Sequence, residues 1–147
     1  MKARPFYDKI AKTYDARFQS KIALIENELA TANLPTRNVL DLGCGTGLYL
    51  EYCQPEGYIG VDLSVGMLAV ARAKFTDAKF IQSDMSAIPL PDNSVDAVVS
   101  LFGSFSYCLT PHRCVDEINR VLRPNGRVFV MACGQRDIKR PSHIAPH

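Results

Sequence analysis

Apolar residues recur along this chain in two rhythms. From Phe6 to Asn33 they fall three or four apart, at Ile10, Tyr14, Phe18, Ile22, Ile25 and Leu29. That spacing lays one stripe along a helix and predicts a helical N-terminal segment, which Pro35 closes. Beyond it the apolar residues gather into short runs that predict five strands: Asn38–Leu42, Tyr58–Asp62, Lys79–Gln82, Val95–Leu101 and Arg127–Cys133. The fourth run is almost unbroken, as expected where both faces of a sheet are covered. Between the runs lie helix signals. A glycine turn opens a helix over Leu48–Cys53, Ser64 is a candidate N-cap for a helix through Phe75, and Thr110-Pro111 starts a helix that ends at Arg123. Pro89 and Pro91 bracket a loop, and Pro124-Asn125-Gly126 reads as a turn.

Strands alternating with helices imply parallel pairing through right-handed crossovers. The expected fold is α/β: a doubly wound, mostly parallel sheet of about five strands with helices on both faces, Rossmann-like. The 147 residues suit a single domain, with 1–35 as a helical cap, 36–133 as the core and 134–147 as a polar tail. A hydrophobic content of 47% and a charged content of 22% are ordinary for a globular chain. The formal net charge of +2 is too small to argue for a nucleic-acid partner. No apolar run approaches the ~20 residues that span a bilayer. Met1-Lys2-Ala3-Arg4-Pro5 is basic but leads into a polar helix, unlike a secretory signal. The five cysteines form no Cys-x-x-Cys pair and no evident disulfide framework, which fits a reducing compartment and predicts a cytoplasmic location. Cys108, His112 and Cys114 match no common zinc spacing, so no metal site is expected.

The chemistry concentrates at the ends of the first three strands. Val39-Leu40-Asp41-Leu42-Gly43-Cys44-Gly45-Thr46-Gly47 runs from an apolar strand into a glycine-rich turn, where backbone can approach a ligand that any Cβ would block. Asp62 ends the second run and Asp84 follows the third. An acid at the tip of the second strand can accept both hydroxyls of a ribose, so the three segments together describe a nucleoside-binding crevice. A dinucleotide fingerprint would place its third glycine at position 48, where this chain has Leu48; the third glycine is Gly47 instead. Asp41, two residues before the turn, also suits an ammonium group better than a diphosphate.

In this order the three segments resemble the class I S-adenosylmethionine-dependent methyltransferases of the small-molecule type, and the likeness runs from about Tyr7 to Cys133. The resemblance implies S-adenosylmethionine as cofactor and a small-molecule methyl acceptor. It implies that Gly43 and Gly45, in the turn with Cys44 and Gly47, line the methionine part, and that Asp41 holds its amino group. Asp62 would accept the ribose hydroxyls, with Leu63 and Met67 packing near the adenine. Asp84 would accept from the adenine amino group, and the Met85 N–H would meet a ring nitrogen. Tyr14, echoed by Tyr7, would sit in a helix covering the cofactor, and Leu101 opens the segment through Tyr107 that would border the methyl group. No catalytic side chain is assigned, because an activated methyl asks mainly for positioning. The segment after the fourth run lacks both the Asn-Pro-Pro-aromatic and the Pro-Cys signatures of enzymes that methylate nucleic-acid bases. His112 is the best-placed candidate base, against a plain helix-surface role. Complete members of the resembled family carry two further strands, so Val128–Met131 is expected to form an exposed sheet edge that invites a homodimer. Two other readings stay open: a cofactor-binding module without turnover, and a nicotinamide-dependent oxidoreductase, the latter disfavoured by Leu48.

Overall fold

The computed structural model describes residues 3–19 and 33–131. Helix α1 (Ala3–Ile10) is followed by a 3-10 turn (Ala11–Thr13) and a helical stretch at 14–19. The core then alternates β1 (Arg37–Leu42), α2 (Tyr49–Tyr52), β2 (Glu56–Asp62), α3 (Val65–Lys74), β3 (Lys79–Gln82), β4 (Val95–Ser100), a 3-10 turn (Ser104–Tyr107), α4 (Pro111–Val121) and β5 (Leu122–Val130). All pairings are parallel, in the order β3-β2-β1-β4-β5.

Alternation along the strands sends side chains to opposite faces and builds a core on each. Val39, Ala97 and Val99 pack with Tyr49, Leu68, Ala71 and Phe80 beneath α2 and α3. Leu40, Leu42, Val61 and Val98 pack with Ile118 and Val121 of α4 on the other side. Each fully buried side chain of this size contributes roughly 1.5–3 kcal/mol from leaving water, and the burial on both faces is that of a doubly wound sheet. Gly60 makes one crossing possible: a Cβ there would lie 2.7 Å from the Phe80 ring and 2.8 Å from the Cys44 sulfur.

The structure departs from the sequence expectations at four places. The N-terminal helix is not continuous, because the chain tightens at Ala11–Thr13, where the Thr13 hydroxyl donates to the Ile10 carbonyl at 3.2 Å. The stripe positions Ile22, Ile25 and Leu29 lie outside the described residues. The last helix stops at Val121 rather than Arg123, since Pro124 disfavours helical backbone at the residue before it. The expected Pro124-Asn125-Gly126 turn is instead a bulge inside β5. Partners jump from Val95–Leu122 to Ala97–Arg127, and Asn125 takes a φ of 65°. Finally, a disulfide joins Cys108 to Cys114, where none was expected. The intervening turn at Thr110-Pro111 folds the loop back onto the first turn of α4. Cys133 and the tail lie outside the described residues.

Among the described residues no helix is long and apolar enough to cross a membrane, and no group of His, Cys, Asp and Glu could hold a metal ion. Among the same residues β5 pairs only with β4, and Val128 and Val130 are 50% and 39% exposed.

Candidate functional site

From β1 the chain moves one way to β2 and β3, then returns past β1 to β4 and β5. The crevice at such a reversal, above the C-terminal strand ends, is where open α/β sheets take their ligands. A cavity of about 820 Å³ lies there. One end is formed by the turn Gly43–Thr46 with Asp62, Leu63, Met67, Ser83, Asp84 and Met85. Arg4, Tyr7, Phe102, Tyr107, Cys108 and Leu109 also line it.

The glycine turn is held from both neighbouring strands. The Gly43 and Cys44 N–H groups donate to the Val61 carbonyl at 2.8 and 3.1 Å. The Asp62 carboxylate accepts from the Gly45 N–H and the Ser64 N–H, both at 2.8 Å. From the β4 side, the Ser104 hydroxyl donates to the Gly43 carbonyl at 2.9 Å and the Ser100 hydroxyl to the Leu42 carbonyl at 2.8 Å. Gly43 has a φ of 71°, and a Cβ on it would sit 2.4 Å from the Ser104 Cβ, so only glycine fits. Burial raises the Asp62 carboxyl above its usual range, against the backbone N–H groups of Ser64, Gly45 and Leu63. A carboxylate offers about four acceptor positions, so these backbone N–H groups do not exhaust it.

The N-terminal cap is tied down by a repeated Tyr-Asp pair. Seven residues separate the copies, close to two helical turns, so they share a side of the segment. Asp8 accepts from the Ser64 hydroxyl at 2.6 Å and the Gly66 N–H at 3.0 Å. Those two bonds hold its carboxyl below the usual range. Asp15 accepts from the Thr46 hydroxyl at 2.6 Å and from Lys74 at 2.8 Å, and Lys74 also pairs with Glu51 at 2.6 Å. The tyrosines preceding these anchors both line the cavity, with ring centroids 6.1 Å apart, and Tyr7 meets Tyr107 edge-on at 5.9 Å. The cap thus closes over the crevice and touches the loop after β4.

Of the residues expected at the site, the structure brings Tyr14, Gly43, Cys44, Gly45, Asp62, Leu63, Met67, Asp84 and Met85 to the cavity wall. It places Asp41, Gly47 and Leu101 elsewhere. Asp41 is 2% exposed and accepts from the Tyr58 hydroxyl at 2.8 Å, facing the core beneath the turn. Burial pushes its carboxyl up to about 7, with the Tyr58 hydrogen bond opposing and the Asp62 charge adding. Gly47, at φ 82°, serves packing: a Cβ would meet the Phe75 ring at 3.0 Å. Leu101 is buried in the core beneath α2 and α3. The sequence reading missed Arg4, Asp8, Thr46, Ser64 and Leu109 at the cavity. The Tyr-Asp repeat was the available signal for Asp8 and Asp15; nothing in the sequence marked Leu109.

The donor set discriminates between ligands. Two carboxylates, Asp62 and Asp84, line the cavity with the apolar Val61 and Met67, and Arg4, the cation in its wall among the described residues, is paired with Asp8. A diphosphate would meet repulsion there, whereas an adenosyl group with an ammonium and a sulfonium finds hydroxyl acceptors and opposite charge. Residues 40–130 match the methyltransferase domain family. The chain is 31% identical over 141 residues to an uncharacterised protein of Methanocaldococcus jannaschii, covering 95% of this chain and 55% of that one. It is 34% identical to a malonyl-[acyl-carrier protein] O-methyltransferase of Marinomonas sp., covering 88% of this chain and 50% of the relative. A solved structure from Methanococcus maripaludis, described as a candidate S-adenosyl-L-methionine-dependent methyltransferase, superposes with a TM-score of 0.70 at 25% identity, covering 85% of this chain and 63% of that one. The chain spans about half the length of the curated relatives it matches.

Asp41 has a folded-state value above the ~3.9 of an unfolded aspartate. The stability it contributes is therefore complete below that pH and is lost as pH rises through about 7. Urea unfolding should show a weaker protein at about pH 8 than at about pH 5, with Asp41→Asn flattening the slope; identical slopes in both proteins would contradict the assignment.

Proposed function

We propose, from the premise that this chain belongs to the class I S-adenosylmethionine-dependent methyltransferases, that it transfers a methyl group from S-adenosylmethionine to a small-molecule acceptor. The observation carrying this reading is the pair of carboxylates, Asp62 and Asp84, beside a glycine turn that Asp62 and Ser104 hold open. When bound, the sulfonium supplies an electrophilic methyl. This chain's residues then bind, orient and exclude water. Gly43, Cys44 and Gly45 present backbone to the methionine part, and Asp62 accepts the ribose hydroxyls. Leu63 and Met67 flank the adenine. The Asp84 carboxylate and the Met85 N–H read the edge of the base. Tyr7 and Tyr14, carried by the 1–35 cap over the 36–133 core, roof the sulfonium, where a ring face is worth ~0.5–2 kcal/mol to a cation.

A small acceptor, rather than a nucleic acid or a membrane surface, accords with the modest net charge of +2 and with the aromatic frame of the cavity mouth. The Marinomonas relative's name points the same way. Asp62→Ala should weaken S-adenosylhomocysteine binding by ten- to a hundredfold, since it strands two hydroxyls and frees the Gly45 N–H. Calorimetry showing unchanged affinity would displace the crevice assignment. Release of S-adenosylhomocysteine over a panel of acceptors separates an enzyme from a binding module without turnover.

The exposed outer edge of β5 suggests a homodimer formed edge to edge, with Val128 and Val130 covered by a second copy. Light scattering should give twice the monomer mass, and Val130→Lys should return the monomer. A monomeric wild-type protein at high concentration excludes the dimer.

For a cytoplasmic location, Cys108 and Cys114 would be held as thiols in the cell, the disulfide closing only on oxidation. Alkylation of the lysate under denaturing, acid-quenched conditions should then label all five cysteines. Protection of the Cys108–Cys114 pair, leaving three labelled, would argue for an oxidising compartment.

A further inference from the structure

The loop that carries Asp84 and Met85 is gripped by two charged side chains that do not line the cavity themselves. We infer that Arg120 and Glu117 of α4 are positioning residues for recognition of the adenine edge, acting on Asp84 and Met85 through the loop Ser83–Ser94; this rests on the methyltransferase reading and on the roles proposed there for those two residues.

The loop runs from β3 to β4 without a helix or strand, and Pro89 and Pro91 remove two backbone donors that regular structure would use. At its start the Ser83 N–H donates to the Asp62 carbonyl at 3.1 Å. At its end the Asn93 and Ser94 N–H groups donate to the Arg120 and Val121 carbonyls at 2.9 and 2.8 Å. Asp84 and Met85 sit near the start, on irregular backbone, where a precise ligand contact needs support from behind. Part of that support is local. The Asp84 carboxylate accepts from the N–H and the hydroxyl of Ser86 at 2.8 and 2.7 Å. The Ala87 N–H donates to the Asp84 carbonyl at 3.0 Å, and the Ser83 hydroxyl to the Ala87 carbonyl at 2.8 Å. These bonds make Ser83–Ala87 one unit, so whatever fixes Ile88 also fixes Asp84.

Ile88 is where α4 takes hold. Its N–H donates to the Glu117 carboxylate at 2.7 Å, and its carbonyl accepts from the Arg120 guanidinium at 2.8 Å. The same guanidinium donates to the Leu90 carbonyl at 2.8 Å and to the Asp92 carboxylate at 2.9 Å. Glu117 holds it two-pronged, accepting from Nε at 2.7 Å and Nη2 at 2.8 Å. The Arg120 side chain is 31% exposed, so its charge pairing adds little to stability. What the planar fork supplies is direction. Ile88, Met85 and Leu90 pack on the same core as Ile118 and Val121, which sets how deep the loop lies. Packing of that kind tolerates sliding; three directed bonds at Ile88 and Leu90 do not. Arg120 and Glu117 therefore set where the loop stops along α4, and with it the position of Asp84.

The test titrates the full chain calorimetrically with S-adenosylhomocysteine and with S-inosylhomocysteine, in which an oxo group replaces the adenine amino group. The wild type should prefer the adenosyl compound by at least about tenfold, because the oxo group sets acceptor against acceptor at Asp84. Arg120→Ala and Glu117→Gln should each cut that preference by about fivefold, with the loss falling on the adenosyl compound, and Arg120→Lys should recover part of it. In an Asp84→Ala background neither substitution should change the preference further. Equal weakening of both ligands, an unchanged preference, or effects that add to that of Asp84→Ala would mean a merely structural role and overturn the inference. Should Arg120→Ala fail to fold, Glu117→Gln decides. A wild type that binds both ligands equally removes the Asp84 role and this inference but leaves the cofactor assignment; failure to bind S-adenosylhomocysteine removes the methyltransferase reading as well.

Discussion

The arrangement depends on one carboxylate. Asp62 ends β2, yet its two oxygens accept from Gly45 in the turn after β1 and from Ser64 at the head of α3. It therefore fastens three chain segments to one another at the point where the crevice opens. A buried carboxylate left unpaired would be costly, and the backbone N–H groups offset that cost directly. The same bonds keep the Gly45 amide from collapsing into the cavity. Asp62 is thus a structural clamp that also lines the cavity.

The cap is secured by a second use of the same device. Ser64 caps α3 by accepting from the Met67 N–H at 3.1 Å, and donates its hydroxyl to Asp8. Gly66 allows the two elements to touch, since a Cβ would approach the Asp8 carbonyl to 3.0 Å. Thr46 plays the corresponding part for Asp15. One short stretch, Asp62 to Gly66, therefore fixes both the floor and the roof of the cavity. Each copy of the Tyr-Asp pair assigns the acid to anchoring and the adjacent ring to the cavity.

What was legible in the sequence follows from range. The strands β1 to β4 and the Ser64 cap rest on local signals: apolar runs, turn residues and a hydroxyl before a helix. The carboxylates at the ends of β2 and β3 were legible for the same reason, because strand ends map onto one rim of a parallel sheet. That Asp41 faces Tyr58 was not legible, because period-2 alternation fixes which face a strand residue takes but not what lies across it; Tyr58, one strand over, decides that. Leu101 failed in the same way, one residue beyond β4 and already turned into the core. Gly47 looked like ligand-facing backbone, but its constraint comes from Phe75 at the far end of α3. The β5 bulge escaped because Pro-Asn-Gly signals a break in direction equally well inside a strand or between elements. Arg4 and Leu109 lie on segments that only the folded cap and the loop after β4 bring to the same cavity.

The helix after the turn completes the argument about the ligand. In dinucleotide folds a diphosphate is met by the N-terminus of a substantial helix, whose aligned peptide dipoles carry roughly half a positive charge. Here α2 is four residues long, Tyr49–Tyr52, and stands off from the glycines by the further turn through Leu48. So short a helix accumulates little dipole, and the space a phosphate would need is edged by Asp62 and Asp84 instead. Burial pushes the Asp41 carboxyl up to about 7, so below neutral pH the site does not carry a third full negative charge behind the turn.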